Sequence, residues 1–211
     1  MIKNIYVDLD GTLLDVSDRL YFLYRDLLKE WDIDNILTQA KYWKLKRNGK
    51  SEKEIIKNVL NEKQANDYLK KRIVLLESWS YLESDRLFPW AKEILNSLGS
   101  KYRVVLVTKR GKKENLQKQL QGFGIVNSFD LVISEAETKD KLINEDESFT
   151  KQESIIVGDT EEDILSGKKL GIGIVAVLSG LRDRPYMESL KPDYIIEDLS
   201  KLQKEVLDVR K

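Results

Sequence analysis

The stretch Ile5-Tyr6-Val7-Asp8-Leu9-Asp10-Gly11-Thr12-Leu13-Leu14-Asp15 places two acidic residues directly after a short apolar run. An apolar run of this kind is typical of a buried β-strand. Side chains alternate between the two faces of a strand, so Asp8 and Asp10 share a face while Leu9 points away. Gly11 allows the chain to leave the strand in a tight turn. The stretch therefore predicts a strand that presents two carboxylates at its carboxyl end.

Two like charges at one strand end repel each other unless a cation or a shared proton relieves the repulsion. Mg²⁺ prefers carboxylate oxygens as ligands, so a divalent metal site is one interpretation of the pair. The alternative is that both aspartates only cap a loop, which is common in a chain with 34% charged residues. Residues farther along the chain favour the metal site.

Two further apolar runs also end in polar residues. Residues 103–107 precede Thr108, and residues 154–158 precede Asp159, with Asp163 one helical turn beyond it. Thr108 and Asp159 would each also serve as a plain cap of the following helix. Two carboxylates in this register after Val-Gly instead favour metal coordination.

Strand-like runs alternate with helical patterns over most of the chain. Strands are expected near residues 2–8, 103–108, 130–134, 154–158, 172–177 and 193–196. This alternation predicts an α/β fold with a doubly wound parallel sheet. Ligands of such sheets bind at the carboxyl ends of the strands, where Asp8, Thr108 and Asp159 all fall.

The stretch after Asp15 has a different pattern of apolar residues. Apolar residues recur there at helical spacing, as in Leu20, Leu23, Tyr24, Leu27, Leu28 and Trp31. The pattern predicts a small α-helical cap domain over residues 16–85. This cap would be inserted into a core domain formed by residues 1–15 and 86–211.

The octet from Asp8 to Asp15 resembles the first motif of the haloacid dehalogenase-like (HAD) hydrolases, a superfamily made up mainly of Mg-dependent phosphatases. Residues 103–108 resemble its second motif, and the segment from Gly158 to Asp163 resembles its fourth, Gly-Asp-x-x-x-Asp. A helical insertion directly after the first motif is similar to that of the phosphoglycolate phosphatase and β-phosphoglucomutase-like subfamily. The resemblance implies a HAD-like, Rossmann-type core with a helical cap, and Mg²⁺ as the cofactor.

The resemblance also implies a role for each motif residue. Asp8 is expected to be the nucleophile that forms an aspartyl phosphate, and Asp10 to be the general acid and base. Mg²⁺ is expected to bind the side chains of Asp8 and Asp159 and the backbone carbonyl of Asp10. The expected phosphate ligands are Thr108, Lys109, the motif lysine discussed below, and backbone amides near Gly11. Thr12 and Asp163 are expected to support the site.

The motif lysine lies between the second and fourth motifs, where lysines are frequent. We expect it to be Lys139, because the segment from Thr138 to Ile143 resembles family members in which the lysine precedes a Leu-Ile-type helix. Lys141 is the competing assignment, and each ammonium has the ordinary alternative of a solvated surface position. The acidic segment 144–153 is short, which leaves less helix after the lysine than many relatives have.

The predicted cap contains a basic and aromatic segment at residues 42–50, followed by Ser51 to Glu54, which reads as a capping box. In related proteins the loop between cap helices touches the leaving group of the substrate. We expect substrate contacts from cap residues and from the core side, with the candidates Trp43, Lys46, Arg47, Lys50 and Arg110. The alternative is a solvated basic helix face.

The composition restricts the chemistry that is available to 211 residues. The absence of cysteine and histidine excludes disulfides, thiol nucleophiles and histidine-dependent catalysis or metal binding. A formal net charge of zero provides no long-range attraction to nucleic acid or to an anionic membrane. The apolar runs are too short for a signal peptide or a membrane span, so we expect a cytoplasmic protein.

These observations predict an enzyme that hydrolyses a small phosphate monoester, such as phosphoglycolate or a sugar phosphate. Asp10 favours phosphate esters, since dehalogenases and phosphonate-cleaving relatives lack a carboxylate two residues after the nucleophile. A phosphomutase would use the same residues, and a phospho-ligand-binding or signalling protein is the non-catalytic alternative. The substrate itself and the oligomeric state are not predicted by the sequence.

Overall fold

The computed structural model describes residues 1–135 and 137–209. Its strands are, in chain order, β1 (Asn4–Val7), β2 (Leu14–Asp15), β3 (Arg86–Leu87), β4 (Arg103–Val107), β5 (Leu131–Ile133), β6 (Ser154–Gly158), β7 (Gly173–Val177) and β8 (Tyr194–Ile196). Six of them form a parallel sheet in the order β5-β4-β1-β6-β7-β8. The α/β fold class and the six predicted strands are confirmed.

Helices connect and cover these strands. They are α1 (Ser17–Lys29), α2 (Gln39–Arg47), α3 (Glu52–Ile56), α4 (Glu62–Leu75), α5 (Trp79–Leu82), α6 (Ala91–Gly99), α7 (Lys113–Gly122), α8 (Lys139–Asn144), α9 (Glu161–Leu170) and α10 (Arg184–Leu190). Short 3₁₀ turns at Val126–Ser128, Lys151–Glu153 and Leu199–Lys201, and a π-helical turn at Gln203–Leu207, complete the described secondary structure. Within the described ranges, every helix is too short or too polar to cross a lipid bilayer.

The central strands are buried on both faces, which explains their continuous apolar runs. Along β1, Ile5 and Val7 contribute to the hydrophobic cluster that contains residues of α6 and α7. Tyr6, between them, points to the opposite cluster with residues of α8, α9 and α10. The sheet therefore lies between two helical layers. Asp8 follows β1 at the edge of the sheet that is formed by the carboxyl ends of the strands.

Residues 16–85 form a helical segment, called the insertion below, that begins after β2 and ends before β3. These two short strands pair antiparallel, so the chain enters and leaves the insertion side by side. Inside it, the ring of Tyr24 stacks on Tyr42 at 4.6 Å. The buried carboxylate of Glu52 accepts hydrogen bonds from the hydroxyls of Tyr42 and Tyr68 at 2.9 and 2.6 Å. That residues 16–85 act as a separate cap domain stays a prediction.

A buried acid ties the short acidic segment 144–153 to the sheet. Asp146 accepts two hydrogen bonds from the Arg103 guanidinium, at 2.6 and 3.0 Å, and one from the Tyr6 hydroxyl at 2.7 Å. Burial raises the pKa of Asp146, but the bonds from Arg103 and Tyr6 outweigh it and hold that pKa below its usual range. Asp146 thus stabilises the fold as an ionised, fully paired carboxylate.

Candidate active site

Two adjacent strands bring the first and fourth motifs together. β1 and β6 are neighbours, with Val7 opposite Val157 in the register, and the Asp8 amide donates to the Val157 carbonyl at 2.9 Å. Asp8 and Asp159 follow these strand ends directly. The carboxylates of Asp8, Asp159 and Asp163 offer oxygens that all lie within 4.8 Å of one another. The expected convergence of the two motifs is present in the structure.

A single buried lysine lies between two of these acids. The Lys139 ammonium is 2.5 Å from Asp8 Oδ1 and 2.6 Å from Asp163 Oδ1, and the residue is 3% exposed. Burial disfavours the charged amine, but Asp163 and Asp8 overcome this and raise the pKa of Lys139. Lys141 instead pairs with Glu137 at 2.6 Å on the surface. Of the two candidate lysines, the structure brings Lys139 into the site.

The nucleophile candidate has an unusual electrostatic environment. Burial raises the pKa of Asp8 to about 7, although the neighbouring Lys139 ammonium opposes this shift and Asp163 adds to it. Asp163 also accepts hydrogen bonds from the Thr160 amide and hydroxyl, at 3.1 and 2.8 Å, at the start of α9. Asp163 therefore holds the lysine and caps a helix at the same time.

Asp159 is the acid with an unused oxygen. It is fully buried; its Oδ2 accepts a 2.6 Å hydrogen bond from the Leu181 amide, whereas its Oδ1 has no partner among the described residues. Burial, followed by the charges of Asp8 and Asp163, raises the pKa of Asp159 well above its usual range. An orphaned carboxylate oxygen beside two more acids and one lysine fits a divalent cation such as Mg²⁺.

Asp10 points to a different set of partners. Arg110 donates to Asp10 through Nε at 3.1 Å and through Nη2, and Arg19 of the insertion approaches it at 3.0 Å. Burial would raise the pKa of Asp10, but these two guanidinium groups hold it well below its usual range. Asp85 and Gln119 complete the cluster by contacting Arg110. Sequence reasoning missed Arg19, Asp85 and Gln119, because nothing in their local sequence marks them.

The remaining motif residues lie at the same end of the sheet, and two of them, Thr108 and Lys109, line a cavity there. Thr108 is 2% exposed and anchored by its amide to the Ile133 carbonyl at 3.1 Å. Lys109 extends to within 3.7 Å of Glu162 and remains half-exposed. Gly11 has a φ of +81°, and a Cβ there would lie 2.0 Å from Asp159 Oδ2, so the turn requires glycine. The hydroxyl of Thr12 is buried without a partner in the described residues.

The predicted substrate contacts from residues 42–50 are not placed at the cavity. Trp43 packs half-buried against the hydrophobic core, and Lys46 is buried beside Glu52 at 3.5 Å. Arg47 binds backbone carbonyls of the core, and Lys50 pairs with Glu54 at the surface. The sequence marked residues 42–50 as basic and aromatic but did not determine the direction of their side chains.

The cavity beside the acids measures about 210 Å³. The core contributes Asp8, Asp10, Lys139 and the consecutive residues Thr108, Lys109 and Arg110. The insertion contributes Arg19, Leu76 and Glu77 to the lining. A space of this size admits a phosphoryl group with a small substituent.

Known proteins resemble this chain over nearly its whole length. A protein of Oceanobacillus iheyensis named Pyrophosphatase PpaX is 26% identical over 209 residues, which cover 94% of each chain. A haloacid dehalogenase-like family hydrolase from Streptococcus pneumoniae superimposes with a TM-score of 0.81 at 22% identity, covering 100% of this chain and 99% of that one. A predicted phosphoglycolate phosphatase from Haemophilus somnus gives a TM-score of 0.75 at 21% identity, covering 100% and 98%.

The family model described as Haloacid dehalogenase-like hydrolase matches residues 5–177, from the first apolar strand to the end of β7. This match spans Asp8, Thr108 and Lys139, which line the cavity, and Asp159, whose carboxylate clusters with that of Asp8. The resemblance expected from the sequence is confirmed: the chain belongs to the haloacid dehalogenase-like hydrolase family.

Proposed function

We propose that this protein is a Mg²⁺-dependent phosphatase that hydrolyses a small phosphate monoester through an aspartyl phosphate on Asp8. The observation that carries the proposal is the position of Asp8, which is held by Lys139 at 2.5 Å, clustered with Asp159 and open to a cavity of about 210 Å³. The names of the compared proteins, which include phosphatases, support the same reaction class.

The chain supplies the groups that each step needs. In the first step a carboxylate oxygen of Asp8 forms a bond to phosphorus while the bond from phosphorus to the leaving oxygen breaks. In the second step, water attacks the phosphorus and the Asp8 carboxylate is released. Lys139 and Thr108 would donate hydrogen bonds to the phosphoryl oxygens as their charge redistributes. Asp8, Asp159 and the backbone carbonyl of Asp10 would hold Mg²⁺, which when bound offsets the repulsion between the two anions.

Asp10 is proposed as the general acid and base. Its side chain is 29% exposed and lines the cavity, and its contacts with Arg19 and Arg110 keep the carboxyl group ionised. The ionised carboxylate is the form that accepts a proton from the attacking water, although the same two contacts lower its affinity for that proton. It can protonate the leaving oxygen only after these two contacts loosen, so substrate binding must rearrange the arginines.

The substrate class follows from the size and polarity of the cavity. Leu76 and Glu77 of the insertion line a cavity of about 210 Å³, and a volume of this size favours small metabolites over phosphoproteins. Phosphoglycolate and sugar phosphates meet this limit. Inorganic pyrophosphate also meets it, and the relative named Pyrophosphatase PpaX gives a reason to include it.

The test is the release of inorganic phosphate from a panel of phosphoglycolate, sugar phosphates, p-nitrophenyl phosphate and pyrophosphate, with Mg²⁺ and with EDTA. We expect turnover only with Mg²⁺, and a loss of at least about 1,000-fold in the Asp8→Asn variant. Asp34→Asn, at an exposed aspartate of the insertion, is the matched control and should keep full activity. Activity of Asp8→Asn equal to the wild type, or no phosphate released from any substrate, would contradict the proposal.

A further inference from the structure

A loop of the core, residues 178–183, lies directly against one metal-site acid. The amide of Leu181 donates to Asp159 Oδ2 at 2.6 Å. A Cβ at Gly180 would lie only 1.9 Å from the same oxygen, so the loop backbone approaches the carboxylate as closely as glycine allows. The loop thereby determines which oxygen of Asp159 is occupied and which one stays free.

The insertion reaches this loop through the last residue of α2. Arg47 donates from Nη1 to the Gly180 carbonyl at 2.9 Å and from Nη2 to the Leu178 carbonyl at 3.0 Å. Its own carbonyl accepts a hydrogen bond from the Asp183 amide at 2.9 Å. One residue of the insertion is therefore bonded to both ends of the loop, and two of these bonds have a charged donor, which makes them stronger than neutral ones.

The loop in turn reaches back to the insertion through Arg182. Its Nη1 donates to the Lys46 carbonyl at 3.0 Å, while Nε and Nη2 each contact the Glu161 carboxylate at 2.7 Å. The side chain of Arg182 is 8% exposed. Glu161 is the first residue of α9 and follows Asp159 by two positions. Arg182 thus connects the insertion with the segment that carries the acid.

We propose that Arg47 and Arg182 are positioning residues that couple docking of the insertion to the orientation of Asp159. The inference rests on the role of Asp159 as a metal ligand under the proposed function. Without the Arg47 guanidinium, the carbonyls of Leu178 and Gly180 lose their donors and the loop can move off the carboxylate. Because coupling between two equilibria is reciprocal, a metal ion at Asp159 also strengthens docking of the insertion.

The contacts of Arg47 and Arg182 fit a direct role in substrate binding less well than a positioning role. Among the described residues that line the cavity, neither Arg47 nor Arg182 occurs, whereas Leu181 of the same loop does. Both terminal nitrogens of Arg47 already bond to backbone oxygens. These contacts assign Arg47 to the junction between the insertion and the core.

The first test measures binding of Mn²⁺ alone, by the electron paramagnetic resonance signal of the free ion. We expect Arg47→Met to weaken Mn²⁺ binding at least about fivefold, within the usual range of coupling between sites. Arg47→Lys keeps one charged donor and should give an intermediate affinity, and Arg182→Met should behave like Arg47→Met. Lys44→Met, at an exposed position of the same helix, is the control and should bind Mn²⁺ like the wild type.

The second test is hydrogen exchange of residues 39–50 with and without Mg²⁺. The ion should slow exchange there in the wild type and have a smaller effect in the Arg47 variants. Equal Mn²⁺ affinity in wild type and in folded Arg47→Met and Arg47→Lys would overturn the coupling, as would a wild type that binds no Mn²⁺. The two proposals can fail separately. If the wild type releases phosphate but the variants bind metal like the wild type, the proposed function stands and the coupling is wrong. If the variants bind metal more weakly but the wild type hydrolyses no substrate, the coupling stands and the proposed function is wrong.

Discussion

Replacing Asp159 by asparagine should make the metal-free protein more stable while removing its activity. The carboxylate is fully buried, one of its oxygens has no partner in the described structure, and two other acids lie within 4.8 Å. An amide keeps an acceptor for the Leu181 amide and places a donor towards the neighbouring acids. An unsatisfied buried polar group costs about 1–3 kcal/mol, so we expect a gain of that size in the free energy of unfolding.

The gain should depend on the metal. In EDTA the variant should unfold at a higher urea concentration, and its melting temperature should rise by about 2–4 °C for each kcal/mol in a chain of this size. Saturating Mg²⁺ should stabilise the wild type, by about 2.7 kcal/mol at one hundred times its dissociation constant, and affect the variant much less. The difference in the free energy of unfolding between the variant and the wild type should therefore shrink or change sign when Mg²⁺ replaces EDTA. Urea unfolding followed by tryptophan fluorescence measures this difference directly.

Asp146→Asn is the matched control, because it makes the same chemical change at another buried aspartate. Asp146 is fully paired with Arg103 and Tyr6, so its substitution should destabilise the protein by about 1–3 kcal/mol, equally with and without Mg²⁺. The low pKa of Asp146 means that this contribution is present at neutral pH and is lost as the pH falls through the acidic range. The reasoning is refuted if Asp159→Asn lowers stability in EDTA as Asp146→Asn does.

Further substitutions test the lysine assignment and the packing around the site. Lys139→Met should lower kcat/KM at least about 100-fold, because a buried donor to the phosphoryl group is lost, and Lys141→Met should stay within about twofold; similar values for the two variants would count against Lys139. Gly158→Ala should abolish Mg²⁺-dependent stabilisation in thermal melts, since its Cβ would lie 2.0 Å from the carboxyl carbon of Asp163; unchanged stabilisation would show that the site can adapt. Glu52→Gln should cost about 3 kcal/mol in urea unfolding by leaving buried cations of the insertion uncompensated, and a change below about 0.5 kcal/mol would contradict this.

The sequence predicted those features that depend on a few neighbouring residues or on the position of a residue at the end of a strand. Asp8 and Asp159 follow apolar runs, and a parallel sheet places such carboxyl ends side by side. The capping box from Ser51 to Glu54 was also predicted and is present, because its partners lie three residues apart. In both cases the information lies within one element or in the rule that joins neighbouring elements.

The parts that the sequence did not predict depend on how the insertion packs on the core. Asp85 contacts both Arg19 and Arg110 only because the two ends of the insertion return to the same place. The direction of Arg47 depends on the rotation of α2 against the 178–183 loop, which no local pattern records. Spacing along a helix gives a face, and tertiary packing decides what that face contacts.

The cluster around Asp10 also bears on how members of this family can be recombined. Arg19 belongs to the insertion and Arg110 to the core, yet both hold the same carboxylate. A chimera that grafts a foreign helical segment between Asp15 and Arg86 would discard Arg19 together with Asp85 and leave Arg110 with half of its counter-charges. The insertion is consequently not an interchangeable module. Transplanting it requires that the core residues in contact with it, such as Arg110, are transferred with it.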